Sequence, residues 1–550
     1  MAGFVSEERL VYGSWQATER MLARLLEHSG FVDVQVVGGC GDHGADIVGI
    51  FNEKKWIIQS KYRKHGAVDS SALREVVNAS AVYKADVAVA ATNQTFSQDA
   101  NLYRQNVLQN GVDLRLWNGY YLLNYFQKLK DISSNFKELR PYQVSAVDAV
   151  ENHRSEGNRT AIVIMATGLG KTLVADQLIV NELERNPNQE ILCVAHMTDL
   201  VRQLDQASWS QLKKQYSTHL WTDGETPTYC GGVVFATWQS IVSAQEKDPM
   251  KGRFGLVLVD EAHHALANVF RHMIELLSPS FLVGLTATPW RGDDKNLYDL
   301  FGQPTFKMDI VDGMQQGYLA DVDYRMLTDG IDWEEISRMS RQGLTIKDLN
   351  SKLILPDRDI AIVEKFVEHF LSIENPKAMV FCRSIDHANR LQSLLAINGV
   401  SSCVVHSGLP REIRFTNLSS FRTGQINCVL SVEMLNEGID VPDVNLVAFM
   451  RVTHSRRIFI QQLGRGLRLR KGKTKVLVLD FVADIRRIAA GLTLNHEATE
   501  RACNPEVIKY QDGRIIQFDN DISASFFNEY LADVADIENM GDGATLRFPE

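Results

Sequence analysis

MATGLGKT, Met165–Thr172, and LVLVDEAH, Leu256–His263, decide the fold of this 550-residue chain. The first ends the apolar run 161–165 (AIVIM) and opens the helical stretch 173–184 (LVADQLIVNELE). A glycine-rich turn between a buried strand and a helix lets backbone N–H groups curl around phosphate oxygens. Thr167, Gly168 and Gly170 form that turn, Lys171 adds a point charge for the phosphates, and Thr172 offers a hydroxyl to magnesium. Met165 stands where the strict phosphate-loop pattern has its first glycine. In the second segment an apolar strand ends in Asp260 and Glu261, at the carboxyl edge where open α/β sheets bind ligands. Asp260 is placed to hold magnesium through its water shell, and Glu261 to orient or deprotonate an attacking water.

Outward from these segments the same strand, turn and helix rhythm recurs. Apolar runs at 191–195, 232–237 and 281–285 join 161–165 and 255–259 in a first series, and 378–382, 402–405, 427–431, 445–449 and 475–479 form a second. The alternation predicts an α/β fold with two parallel-sheet lobes, 139–317 and 357–483. The charged segment 318–356 is expected to pack across their junction, and the acidic residues 484–550 to cap the second lobe without an assigned role. Upstream, a helical period at 15–29 precedes apolar stretches at 31–37, 46–51 and 56–59, then helix, strand, helix and strand to residue 117. That pattern predicts a separate α/β domain over 1–130. The polar stretch 131–138 is its linker, and a connector of about ten residues reaches at most roughly 35 Å.

Composition narrows the class. Hydrophobic residues at 45% and charged residues at 23% exclude a disordered or fibrous chain. No apolar run approaches a membrane span, and the acidic start MAGFVSEERL lacks the basic opening of a signal peptide, so a cytoplasmic location is expected. Seven scattered cysteines without a CxxC pair predict buried thiols, not disulfides or zinc. The net charge of −10 is uneven: residues 484–550 hold 13 acids against 6 Lys/Arg, while 1–135 hold 14 of each. Nucleic acid is therefore not excluded, because its phosphates need only a local basic face.

Across 139–483 the motif order resembles the superfamily 2 helicases and translocases of DEAH type, including the motors of type III restriction subunits. LRPYQ (139–143) resembles their adenine-reading segment, which implies Gln143 as the adenine contact. TAT (286–288) resembles the motif linking hydrolysis to strand binding, while 196–203 and ATWQS (236–240) resemble segments that touch the nucleic-acid backbone. NEGIDVP (436–442), with Gly438 and Asp440 as nucleotide-binding positions, and QLGRGLR (462–468) resemble the last two motifs. The resemblance implies ATP and Mg2+ as cofactors, Lys171 and Glu261 as catalytic, and Arg465 and Arg468 as arginine fingers on the γ-phosphate. Guanidiniums delivered from a second lobe act only when the cleft closes, which ties hydrolysis to lobe motion.

The first domain has its own constellation. Asp46 follows the turn GGCGDHGA, and the next strand, KWIIQSKYR, carries Gln59 and Lys61 two residues apart. Strand periodicity puts Gln59 and Lys61 on one face beside Asp46. A carboxylate and an amide oxygen can hold magnesium, and a lysine can orient the water that attacks a phosphodiester. TERMLARLL, GGCGDHGADIVG, IIQSKYR and AATNQTFSQDA resemble the Mrr-type restriction endonuclease domain of the PD-(D/E)xK fold over 10–125. Gln59 occupies a place that is acidic in much of that superfamily and glutamine in the Mrr branch. The resemblance also implies Glu19 as a further metal ligand, whereas Asp42 and His43 are expected to cap the turn. It implies DNA as partner and a metal-dependent endonuclease driven by the motor, in a restriction or anti-phage system with partner subunits. The sequence leaves open a first domain that binds without cutting, a repair helicase, an ATP-gated sensor, and RNA in place of DNA.

Overall fold

The computed structural model describes residues 3–37, 44–222, 225–227, 231–245, 250–265, 268–287, 297–309, 312–313, 316–327, 358–382, 384–432, 444–450, 466, 475–481, 508–511 and 515–518. It opens with helices α1 (Glu7–Tyr12) and α2 (Trp15–His28), then β1 (Val32–Val36), β2 (Ile47–Phe51) and β3 (Lys54–Ser60). Next come α3 (Ser70–Tyr83), β4 (Val87–Ala91), α4 (Gln98–Gln109), β5 (Asp113–Trp117) and α5 (Gly119–Lys128). The five strands lie in chain order in one sheet. β1, β2 and β3 are antiparallel, whereas β3, β4 and β5 are parallel. Asn52 and Glu53, at φ 50° and 62°, make the two-residue reversal that pairs β2 with β3. Alternation then sorts the faces: Ile47, Trp56 and Ile58 join the α2 side with Leu22, Leu25 and Leu26. Val48 and Ile57 join the α3 side with Leu73 and Val76.

The second sheet follows α6 (Pro141–Ser155). Its elements are β6 (Thr160–Met165), α7 (Lys171–Arg185), β7 (Glu190–Ala195), α8 (Thr198–Ser208), β8 (Thr218–Trp221), β9 (Val233–Thr237), β10 (Phe254–Asp260), β11 (Phe281–Thr286) and β12 (Phe306–Met308). Their order is β12-β6-β11-β10-β7-β9-β8, and β6, β7, β9, β10 and β11 are the apolar runs of the first series. The outermost strands β8 and β12, of four and three residues, are too short to announce themselves by pattern.

The third sheet contains β13 (Asp321–Leu327), β14 (Ala378–Phe381), β15 (Ser402–His406), β16 (Cys428–Val432), β17 (Leu446–Phe449), β18 (Lys475–Phe481), β19 (Ile508–Gln511) and β20 (Ile515–Phe518). Here the structure departs from an inter-lobe role for the start of 318–356. β13 is a full strand of this sheet, parallel to β18 and antiparallel to β20. Its charges obscured that in the sequence: Arg325 pairs with Asp323, and Lys475 lies 3.5 Å from the same carboxylate. The remainder of that segment, 328–356, lies outside the described residues. The four described cysteines, Cys193, Cys382, Cys403 and Cys428, are buried thiols.

The N-terminal domain and most of the first lobe form one compact unit, while the third sheet belongs to a second. In the first unit every α2 residue from Met21 to Leu26 is buried, whereas a helix packed on one side would expose its polar stripe. Trp209, just beyond α8, belongs to the N-terminal core itself. The polar face of α2 meets the lobe: Arg24 donates to Tyr216 O at 2.9 Å, and Arg20 pairs with Glu225 and stands 3.5 Å from Asp205. Arg9 donates to Thr218 O at 3.0 Å, so the edge strand β8 is held by a side chain from α1. The stretch 131–138 is not a free tether either. Ser133 is buried, Asn135 Nδ2 donates to Glu27 O and Phe31 O, and Lys214 N donates to Asp131 O.

Candidate active sites

The first site lies at the carboxyl end of β6. Gly168 and Gly170 have φ of 96° and 81°, a left-handed backbone that glycine adopts without strain. Gly170 precedes α7, whose first residue is Lys171, and no side chain caps that helix start. Its N–H groups are therefore the anion-binding end of the helix. Gln143 sits against this turn. It is buried, its Oε1 accepts from Arg140 N at 2.8 Å, and a Cβ built on Gly170 would stand 2.5 Å from its Nε2. The Thr167 hydroxyl is buried without a hydrogen bond.

Asp260 ends β10, between β7 and β11, and Glu261 follows in a left-handed conformation at φ 48°. A non-glycine residue held there is strained, a condition that collects at functional positions. His263, buried in the turn after it, shares a 3.0 Å hydrogen bond between Nδ1 and Thr286 Oγ1. Glu261 Oε2 lies 3.3 Å from the same Nδ1 and makes no hydrogen bond. His263 thus connects DEAH to the first residue of TAT, a link the sequence contained but did not announce. On the neighbouring strands, the rings of His196 after β7 and Trp238 after β9 lie 6.0 Å apart, so the two segments expected to contact the nucleic-acid backbone adjoin.

The second site is on the N-terminal sheet. Gln59 and Lys61 face one partner, Glu75 of α3: Gln59 Nε2 donates to Glu75 Oε2 at 3.2 Å, and Lys61 Nζ pairs with the same oxygen. That hydrogen bond from Lys61 holds the Glu75 carboxyl below the usual range. Asp46 is buried just before β2, the antiparallel neighbour of β3, and its Oδ2 accepts from Ser60 N at 2.6 Å. Gln59 and Lys61 therefore converge on Glu75, which the sequence did not reveal, and Asp46 is hydrogen-bonded to the backbone of Ser60 between them. Glu19 is buried on α2, which covers the sheet face opposite α3.

A metal ion can be tested against these donors. Among the described residues no three of His, Cys, Asp or Glu cluster closely enough to hold one, so a three-acid cage with Glu19 does not arise. Gln59 Oε1, however, is buried without a hydrogen-bond partner. A buried carbonyl oxygen left unsatisfied is costly, and a cation beside Asp46 would satisfy it. Magnesium needs no more protein ligands, since it keeps several waters and takes its remaining oxygens from phosphate. The donor set fits.

Three family models match in order along the chain: a restriction endonuclease domain at 12–126, the res subunit of type III restriction enzymes at 136–291, and the helicase conserved C-terminal domain at 361–470. The chain joins a restriction endonuclease domain to a helicase motor. The combined protein is 27% identical over 404 residues to a type I restriction enzyme EcoAI endonuclease subunit from Escherichia coli, covering 66% of this chain and 49% of that one. It is 27% identical over 380 residues to the DNA 3'-5' translocase XPB2 of Sulfurisphaera tokodaii, covering 62% and 81%. The chain spans about half the length of several curated relatives it matches. In fold it is similar to the ATP-dependent type ISP restriction-modification enzyme LlaBIII bound to DNA, with a TM-score of 0.56 at 15% identity over 97% of this chain and 43% of that one.

Within the endonuclease domain, Asp42 and His43 lie outside the described residues, as do Gly438, Asp440, Arg465 and Arg468 in the motor. Thr288 of TAT is also outside them, while Lys171 and Thr172 open α7. No described helix is long and apolar enough to cross a membrane.

Proposed function

We propose that this protein is an ATP-driven DNA translocase that directs its own metal-dependent endonuclease, in restriction or anti-phage defence. The convergence of Asp46, Gln59 and Lys61 with Glu75 carries the reading, because a degenerate binding module has no need to keep that set together. Magnesium held by Asp46 and Gln59 would neutralise charge on the scissile phosphate and make its bound water more acidic. Lys61, steadied by Glu75, orients the attacking water. In the motor, Lys171 and the α7 amides bind the ATP phosphates, Gln143 the adenine, and Thr172 and Asp260 the nucleotide's magnesium. Glu261 positions the water that attacks the γ-phosphate. Arg465 and Arg468 would complete the transition state when the cleft closes.

The test uses purified full-length protein with plasmid DNA, magnesium and ATP. Lys171→Ala or Glu261→Gln should lower DNA-stimulated ATPase activity by about a hundredfold or more. Asp46→Ala or Lys61→Ala should abolish cleavage while ATPase activity persists. Wild-type ATP turnover in Glu261→Gln, or undiminished cutting by Lys61→Ala, would each refute its half.

A further inference from the structure

The endonuclease domain has a second cleft, of about 420 Å³, at the outer edge of its sheet. That volume lies within the range of small-ligand pockets, whereas the cavity between this domain and the first lobe, about 30 Å³, holds little more than a water. Asn101 and Arg104 of α4, Arg115 and Trp117 of β5, Asn118 that caps α5, and Tyr121 in its first turn line it.

Sheet register places the cleft. Ser60 pairs with Ala91 and Ala91 with Trp117 across parallel strands, so the cleft shares the sheet's carboxyl edge with Gln59 and Lys61, with Trp117 on the α2 face and Gln59 on the α3 face of that edge. Along that edge β3 and β5 are two strand spacings, roughly 10 Å, apart, so the cleft is separated from Gln59 and Lys61 by at least about three base steps along a strand. Between the two lies a basic loop, Arg63, Lys64 and His65, fixed where Asn93 Nδ2 donates to Arg63 O at 2.8 Å.

The lining is suited to a nucleotide. Trp117, Tyr121 and Tyr125 are near-parallel, with centroids 5.6 to 6.1 Å apart, and Tyr121 is 39% exposed. Flat, half-open aromatic platforms accept bases of any identity. Arg104 is anchored through Nε to Leu114 O at 3.0 Å, which fixes its guanidinium at the cleft wall. Arg115 is already committed, bidentate to Asp113 and stacked 4.4 Å over Trp56, so it serves as a rigid wall.

We propose that this cleft binds one unstacked nucleotide of a single DNA strand a few nucleotides from the scissile phosphate, where the strand rounds the carboxyl edge of the sheet, its base on Tyr121 and its phosphate at Arg104. The proposal rests on the endonuclease reading and deepens it: a base inside a duplex cannot reach a platform, so the strand is presented after the motor has opened it.

The probe is a short oligothymidylate carrying 5-iodouracil, irradiated with the full-length protein in EDTA, with labelled peptides mapped by mass spectrometry. Label is expected on the 117–125 segment. Tyr121→Ala should lower its yield roughly tenfold or more, Tyr121→Phe should keep it, and Arg104→Gln should lower it and flatten its salt dependence. Tyr120→Ala, a neighbour 77% exposed and outside the cleft lining, is the control and should change nothing. Label confined to other segments, or undiminished in Tyr121→Ala, overturns the cleft. Labelling at Tyr121 by a wild type that never cuts would defeat only the endonuclease reading, and cutting without that label would defeat only this one.

Discussion

Arg24 is the residue at which the endonuclease can be loosened from the motor. Its guanidinium donates to Tyr216 O at 2.9 Å and Lys213 O at 3.4 Å, and lies 4.2 Å from the Phe4 ring centroid. In Arg24→Ala the short bond to Tyr216 costs about 2 kcal/mol, and the long one and the ring contact about 1 kcal/mol each. Truncating the buried stem costs about 2 kcal/mol more. Against this, burial pulls the Arg24 pKa from 12.5 to about 9. Removing so unfavourably placed a charge returns up to about 5 kcal/mol on that basis, less after local relaxation. The net loss is on the order of 2 kcal/mol, or about thirtyfold in the opening equilibrium of the joint. Because 131–138 is pinned on both sides of this joint, proteolytic cleavage within it should accelerate by a similar factor when opening and closing are fast. Limited proteolysis of the full-length chain reads the rate, and ATP-dependent plasmid cleavage should weaken in parallel. A connector cut at the wild-type rate in Arg24→Ala would refute a joint held by these contacts.

Two further outcomes follow from buried and paired groups. Glu75→Gln removes the charge that steadies Lys61; with Glu75 56% exposed, stability should change by less than about 1 kcal/mol, while DNA cleavage falls about tenfold and ATPase activity is unchanged. Equal cleavage rates would remove Glu75 from the site. Asp176, buried in α7 and bonded to Ser208, has its pKa raised to about 7 by burial. The folded state therefore holds a proton that the unfolded chain has already released, so stability falls as pH rises from about 4 towards 7 and levels off above. Asp176→Asn escapes that loss, and its melting-temperature advantage should grow between pH 5 and 8 by the equivalent of about 2–3 kcal/mol. A pH-independent difference would contradict the buried carboxyl.

What the sequence disclosed depended on whether a signal was local. The turn around Gly168 and Gly170 and the end of β10 at Asp260 were legible because strand, glycine and acid adjoin in the chain. Gln59 and Lys61 were legible as a pair because strand period alone puts them together. Glu75 was not, since a single acid on α3 has no local mark, and only the packing of α3 on β3 brings it to Lys61. β8 was missed for a related reason. His219 is buried there, with its pKa driven to about 3 first by desolvation and then by Arg9 and Arg20, and those arginines are remote in sequence.

The same limit explains the joint. A helical period marks α2's polar stripe, but it cannot say whether that stripe meets water or the carbonyls of another domain. Arg24 meets such a carbonyl, and Arg20 meets the carboxylates of Asp205 and Glu225 in the lobe. A flexible connector would have let the endonuclease sample a sphere of roughly 35 Å around the lobe, raising its local concentration without fixing its direction. With Trp209 inside the endonuclease core and 131–138 bonded to both sides, that freedom is absent from the first unit. The candidate nuclease residues thus belong to the same compact unit as His196 and Trp238, the lobe's candidate strand contacts. On the proposed function, coupling between motor and nuclease would then run through the path of the DNA: the motor would move the strand, and the endonuclease would cut what arrives at a fixed place.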